Sequence, residues 1–220
     1  MNKLLVAVVA TTLGAASAAA LADDGNFFVN GDLGQSHYRI ASSYTVAPSI
    51  FDGGYRYSAD KQDVAGALRF GYRWHSLVDY GVEAGYVDLG QAETKFNGPY
   101  TNLKTDQKTR GWLVGGNLKY NIAEKWYVSA RGGWFRSRNE VDARGVFFVQ
   151  PLAGDQPNFR SHSSNTGTGE YLGLGAGYNI LPNLSVGLSY DNYHARLNRS
   201  SESDSGLNIA LYSVSAEYRF

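Results

Sequence analysis

The chain has 220 residues, with 20 Lys and Arg against 20 Asp and Glu, 26 Gly and no Cys. A formal net charge of zero gives no electrostatic footing for a nucleic-acid partner, and a chain without Cys has neither disulfides nor thiolate metal ligands. No segment beyond the N-terminal region has the run of about 20 apolar residues that a membrane helix needs. Any membrane-spanning form must therefore be a closed β-barrel, in which every backbone polar group is paired.

Met1 to Lys3 is a short basic start, Leu4 to Ala10 is apolar, and Ala20-Leu21-Ala22 precedes Asp23-Asp24. This is the layout of a secretory signal peptide spanning 1–22 with an A-x-A-type cleavage site. The expected mature domain is 23–220. It reads as strands joined alternately by long and short connections. The first predicted strand is Phe27 to Tyr38, followed by a long polar loop over about 40–61. Val64 to Trp74 and Asp79 to Asp88 are strands around the turn His75-Ser76-Leu77. A second loop, about 91–108, is rich in Thr, Asn and Lys. Arg110 to Tyr120 and Trp126 to Ser137 are strands around a short turn. A third loop, about 139–168, ends in the Ser/Thr/Gly-rich stretch Ser161 to Gly169. Glu170 to Asn179 and Leu184 to Tyr193 are strands around Ile180-Leu181-Pro182-Asn183, and a fourth loop, about 192–205, leads to the last strand, Gly206 to Phe220.

That makes eight strands of about 10 residues, enough to cross a bilayer at a tilt. Each alternates with period two, so each separates two different environments. In the last strand Ala210, Tyr212, Val214, Ala216, Tyr218 and Phe220 share one face, while Ser213, Ser215, Glu217 and Arg219 share the other. Aromatic residues of the apolar face gather at both strand ends: Trp74, Tyr80 and Trp126 by the short turns, Tyr86, Trp112 and Trp134 toward the long loops. Two aromatic girdles around an aliphatic band are the exterior of an outer-membrane barrel. The opposite face mixes glycines with Asp32, Arg69, Glu83 and Arg131. The bore of an eight-stranded barrel is only wide enough for side chains to fill. These four residues therefore form a candidate luminal charge network, two acids against two bases. The expected fold is all-β: an eight-stranded antiparallel up-and-down transmembrane barrel, with both termini and the short turns on the periplasmic side and four long extracellular loops.

FFVNGDLGQS, FGYRWHSLVDYGVEAGYVDLG, LKYNI, ARGGW, GAGYNILPNLSVGLSY and the closing YRF, in that order and spacing, resemble the transmembrane domain of outer membrane protein A and the related opacity- and Ail-type surface antigens. The resemblance covers essentially the whole mature chain. It implies a monomer without cofactors in the outer membrane of a Gram-negative bacterium, surrounded by lipid and lipopolysaccharide. It also implies Tyr218 and Phe220 as the C-terminal signal read by the barrel assembly machinery. The peptidoglycan-binding domain that follows the family barrel is not expected, since the chain ends at YRF. The family's luminal salt-bridge set is largely absent: Glu83 matches its strand-three acid, but Asn117 stands in place of a Lys, and Gly177 and Gly187 stand in place of an acid and an Arg.

A hydrolytic barrel would need a Ser, a His and an acid brought together near the outer rim. His194, with Ser189 and Asp191 close in sequence, is the candidate grouping, but the His-x-Ser-Asn pattern of the deacylase barrels is missing because Ala195 and Arg196 follow His194. No metal-ligand cluster or phosphate loop occurs. In the third loop, Phe147 and Phe148 sit in the apolar run VFFVQPL, a candidate contact for a host or other extracellular ligand. The expected role is non-enzymatic, structural or surface-interacting through the loops. A narrow small-solute channel is the first alternative and a lipid-modifying enzyme the second.

Overall fold

The computed structural model describes residues 25–39, 56–98, 101–147, 158–196 and 206–220. The signal peptide 1–22, most of the first loop and Phe148 lie outside the described residues. The elements are β1 Gly25–Arg39, β2 Arg56–Asp60, β3 Gln62–Trp74, β4 Asp79–Gly98, β5 Thr101–Asn121, β6 Trp126–Phe147, β7 Asn158–Leu181, β8 Leu184–Arg196 and β9 Gly206–Arg219. All pairings are antiparallel. They close a ring in which β3, β1, β9, β8, β7, β6, β5 and β4 are neighbours in turn, while short β2 continues the line of β3 alongside β4. Closure joins the two chain ends: β1 and β9 pair from Phe28↔Arg219 to Arg39↔Asn208, and the Phe220 amide donates to the Phe27 carbonyl at 3.0 Å.

The alternation decides which face points out. Trp112 and Leu188 are each 68% exposed, whereas Arg69 is 0% exposed. Burial in water would sort them the other way; lipid outside and a filled bore inside give this order. The exterior carries the two aromatic belts. Trp74 stacks on Tyr80 (ring centroids 5.6 Å) and Trp126 meets Tyr178 (5.2 Å) at the short-turn end. Tyr86 meets Trp112 (5.1 Å) and Tyr190 meets Tyr212 (5.0 Å) toward the other end.

The long connections differ from the sequence reading. Residues 91–98 and 101–108, expected as the second loop, are strand, and β6 and β7 likewise take in 139–147 and 158–168 of the expected third loop, including Ser161 to Gly169. β8 continues to Arg196, inside the expected fourth loop. β5 and β6 pair without a break from Thr101↔Phe147 to Asn121↔Tyr127, about twice the 9–11 residues a bilayer crossing takes. The extra length projects as a sheet of β2, β4, β5, β6 and β7. One face of that projection carries the charged residues and the other mixes Thr94, Thr105 and Gln107 with Ala92, Leu103 and Val141, so the hydrophobic alternation that marks a strand is weaker there. Where β4 leaves the barrel, the register slips between Asp88 and Gln91. Gly90 sits in this bulge at φ 71°, a left-handed conformation that favours glycine. A Cβ there would lie 2.7 Å from Asp63 Oδ2, which accepts the Gln91 amide at 2.8 Å.

Candidate functional site in the bore

Three layers fill the bore. Nearest the short turns, Arg73 grips Glu217 with both terminal nitrogens (2.8 and 3.0 Å) and donates Nε to Asn117 Oδ1 (2.8 Å). Lys119 donates to Glu217 (3.0 Å) and to Ser185 Oγ (3.1 Å). Aromatic faces complete the cations' surroundings: Phe28 lies 4.3 Å from the Arg73 guanidinium and Tyr127 3.9 Å from the Lys119 ammonium. Gly177 and Gly187, which stand where the resembled family carries an acid and an Arg, make room for that Tyr127 ring. A Cβ on either would come within 2.7 Å of the phenol oxygen.

The middle layer brings together all four residues of the expected network and adds a fifth. Arg69 is ion-paired to Asp32 and donates to Tyr193 Oη at 2.7 Å. Arg131 binds Asp191 in a two-pronged contact, both bonds 2.6 Å, and approaches Asp32 at 3.5 Å. Asp191 is also 3.7 Å from Arg69. Glu83 lies 3.6 Å from Arg69 Nε, too far for a hydrogen bond, and takes one from Tyr171 Oη at 2.8 Å instead. Gly173 gives the Arg131–Asp191 pair its space, since a Cβ there would collide with Asp191 and lie 3.0 Å from Arg131 Cγ. Across the two layers, Asp32, Glu83, Asp191 and Glu217 face Arg69, Arg73, Lys119 and Arg131, four of each sign. Confined charges persist when paired in this way. Between the layers lies a cavity of about 30 Å³ lined by Asn30, Glu83, Asn117, Tyr127 and Ser215 among others, with room for about one or two waters.

The third layer is apolar and was not expected. Leu113, Phe135, Tyr171, Tyr193, Ile209 and Leu211 form a buried cluster inside the barrel, with Tyr38 and Leu89 above it. Phe135 meets Tyr193 edge-on (5.2 Å) and Tyr193 stacks on Tyr171 (6.0 Å). The signal was present in the sequence. These residues occupy the same parity as the luminal glycines and acids; beside them on that parity lie buried polar groups, Ser36, Thr109, Ser137 and Asn139, with Thr109 donating to Asn139 at 2.8 Å.

The grouping of His194 with Ser189 and Asp191 is not assembled. Asp191 points into the bore, and Ser189 bonds Asp32 and Ser213 (3.2 and 2.9 Å). His194 stands on the opposite face of β8, its Nδ1 2.7 Å from Asn208. Among the described residues no group of three His, Asp or Glu is placed to hold a metal. Tyr218 and Phe220 pack ring to ring at 5.0 Å on the short-turn rim. The Phe147 backbone ends β6 opposite Thr101.

An exterior of aliphatic and aromatic side chains around an interior of paired charges defines a barrel that spans a membrane through its strands. The chain belongs to the outer membrane protein beta-barrel domain family, whose model matches residues 6–220, and it resides in the outer membrane. No curated protein matches it in sequence. Among solved structures it is similar to Ail, the attachment invasion locus protein of Yersinia pestis (18% identity, 90% of this chain and 99% of that one, TM-score 0.46). It is also similar to OprG of Pseudomonas aeruginosa (13%, 90% and 96%, 0.43) and to the outer membrane protease OmpT of Escherichia coli (12%, 89% and 97%, 0.44).

Proposed function

We propose that the protein is a closed, non-enzymatic barrel whose working surface is the projecting sheet, with the short turns in the periplasm and the projection outside the cell. The observation that carries this reading is the filled bore. Two layers of paired charge and one apolar layer succeed one another along the axis, and the cavity between the charged layers is about 30 Å³. An ion crossing such a bore would have to separate bonded pairs and then enter the apolar layer, where it has no partner. The split of Ser189 and Asp191 from His194 across the barrel wall supports a non-catalytic role. Strands drawn out well past the aromatic belts supply a rigid surface for contact with ligands or other cells, and lipid and lipopolysaccharide surround the belts.

The test is ion conductance of the purified protein in planar bilayers. The closed-barrel reading expects a flat trace, and discrete opening steps would replace it with the narrow-channel reading.

A further inference from the structure

Two asparagines inside the bore are not fully partnered. Asn30 of β1 is 7% exposed and Asn117 of β5 is 5% exposed. Arg73 Nε donates to Asn117 Oδ1 at 2.8 Å, which fixes how that amide is turned. Its Nδ2 is then a buried donor with no acceptor among the described residues. Asn30 makes only a 3.5 Å contact from Nδ2 to the Ala216 carbonyl, longer than a good hydrogen bond, and its Oδ1 has no donor. A buried amide without partners is costly, so a dry bore gives no reason for an asparagine at position 30.

One orphan is a donor and the other an acceptor, and they reach the same space. In the ring, β1 and β5 are separated by β3 and β4 on one side and by four strands on the other. Both asparagines line the cavity of about 30 Å³ between the two charged layers. We infer that this cavity is a binding site for ordered water, holding roughly two molecules that carry hydrogen bonds from the Asn117 amide to the Asn30 carbonyl.

Water matches the lining better than an ion does. The site offers a donor, an acceptor, and the hydroxyls of Ser129 and Ser215, which can act as either. Water uses both kinds of group, whereas an ion uses one. The charged groups of the lining are already engaged: Arg73 and Lys119 with Glu217, Arg131 with Asp191, and Glu83 with Tyr171. Asn117 belongs to the layer of Arg73 and Glu217, while Glu83, on the same cavity, belongs to the layer of Arg69. The bound water therefore joins the two layers into one network and is part of what fills the bore. This inference rests on the closed-barrel reading.

The test is a crystal structure of the wild-type barrel at a resolution that shows water, with a second crystal soaked in rubidium bromide. The expected result is density in the cavity within about 3.2 Å of Asn117 Nδ2 and Asn30 Oδ1, and no anomalous peak there after the soak. A cavity without density would overturn the proposal. An anomalous peak would make it an ion site and overturn it too. Asn30→Leu gives an independent reading by urea unfolding. A water bridge predicts a lower midpoint than wild type, because the bridge loses its acceptor. A dry cavity predicts a higher one, because an amide without partners is replaced by an apolar side chain; a midpoint equal to or above wild type overturns the proposal. The unheated gel band shift checks folding, and if the variant does not fold the crystals decide alone. An empty cavity together with a flat conductance trace would remove the water site and leave the closed barrel standing. Conductance steps would remove the closed barrel whatever the crystals show.

Discussion

The bore and the projecting sheet handle charge in opposite ways. Inside the barrel each cation meets an acid carried on another part of the wall: Arg131 of β6 reaches Asp191 of β8, and Arg73 of β3 reaches Glu217 of β9. On the projection two rows across the strands share a sign, Lys95 beside Lys104 beside Arg144 and Glu93 beside Asp106 beside Asp142. The difference follows the solvent. A confined charge without a partner is costly, so the bore tolerates only matched sets. Water screens the projection, where ion pairs contribute little and like charges can be lined up at small cost. The bore is organised to close, the projection to present.

The largest effect in breaking that contrast should come from the middle layer. Arg69→Ala leaves Asp32 without its main partner and takes the Tyr193 hydroxyl's donor away, and is expected to cost about 3–5 kcal/mol in urea unfolding. Asp32→Ala should cost a similar amount. Glu83→Ala should cost less, because Glu83 bonds Tyr171 and only approaches Arg69 at 3.6 Å. Next is the exterior. Val114→Arg places a charge on the lipid face and should cost about 2–4 kcal/mol, while the same change at an exposed residue of the projection, Thr166→Arg, should be near neutral in the same titration.

How much of this could be read beforehand divides along the same line. Lipid imposes an apolar exterior, so the parity of Val114, Leu188 or Tyr212 was legible, and with it the inward parity of Asp32, Arg69, Glu83 and Arg131. Which charge meets which was not legible. Pairing across the bore depends on the stagger of the closed ring, and the Arg131–Asp191 contact joins strands that are not neighbours. The apolar layer of Leu113, Phe135 and Tyr193 lies on the same inward parity, where the polar neighbours Thr109, Ser137 and Asn139 blur it. The strands at 91–98 and 101–108 were hard to read for a physical reason: their less polar face carries Thr94, Thr105 and Gln107 between Ala92, Phe96 and Leu103, so its contrast with Glu93, Lys95, Lys104 and Asp106 on the other face is weak.

A smaller effect sharpens the rim. Phe220 pairs its amide with Phe27 and its ring with Tyr218. If these two residues also form the assembly signal, Phe220→Asp should lower the fraction of unheated, faster-running protein recovered from the outer membrane without changing the urea midpoint of what does fold.

The smallest effect lies on the projection. Hydrogen bonds from Lys104 and Lys95 hold the Glu93 carboxyl down at about 2, from an ordinary 4.5. A depressed carboxylate contributes its pairing above the ordinary value and loses it only as pH falls through the lowered one. Glu93 should therefore remain ionised at pH 3, with its carboxyl carbon resonance unmoved between pH 6 and pH 3. Lys104→Gln should bring the transition back toward the ordinary range.

The contrast itself is tested most directly by two double-mutant cycles run side by side. One couples Asp32 with Arg69 in the bore, and the other couples Glu93 with Lys104 on the projection, both by urea unfolding at physiological ionic strength. A closed, matched bore predicts a coupling of about 2 kcal/mol or more for Asp32 with Arg69, barely changed by added salt, and a projection coupling that salt erases. A coupling in the bore that is near zero, or that salt erases as it does outside, would contradict the account and make the interior a hydrated passage.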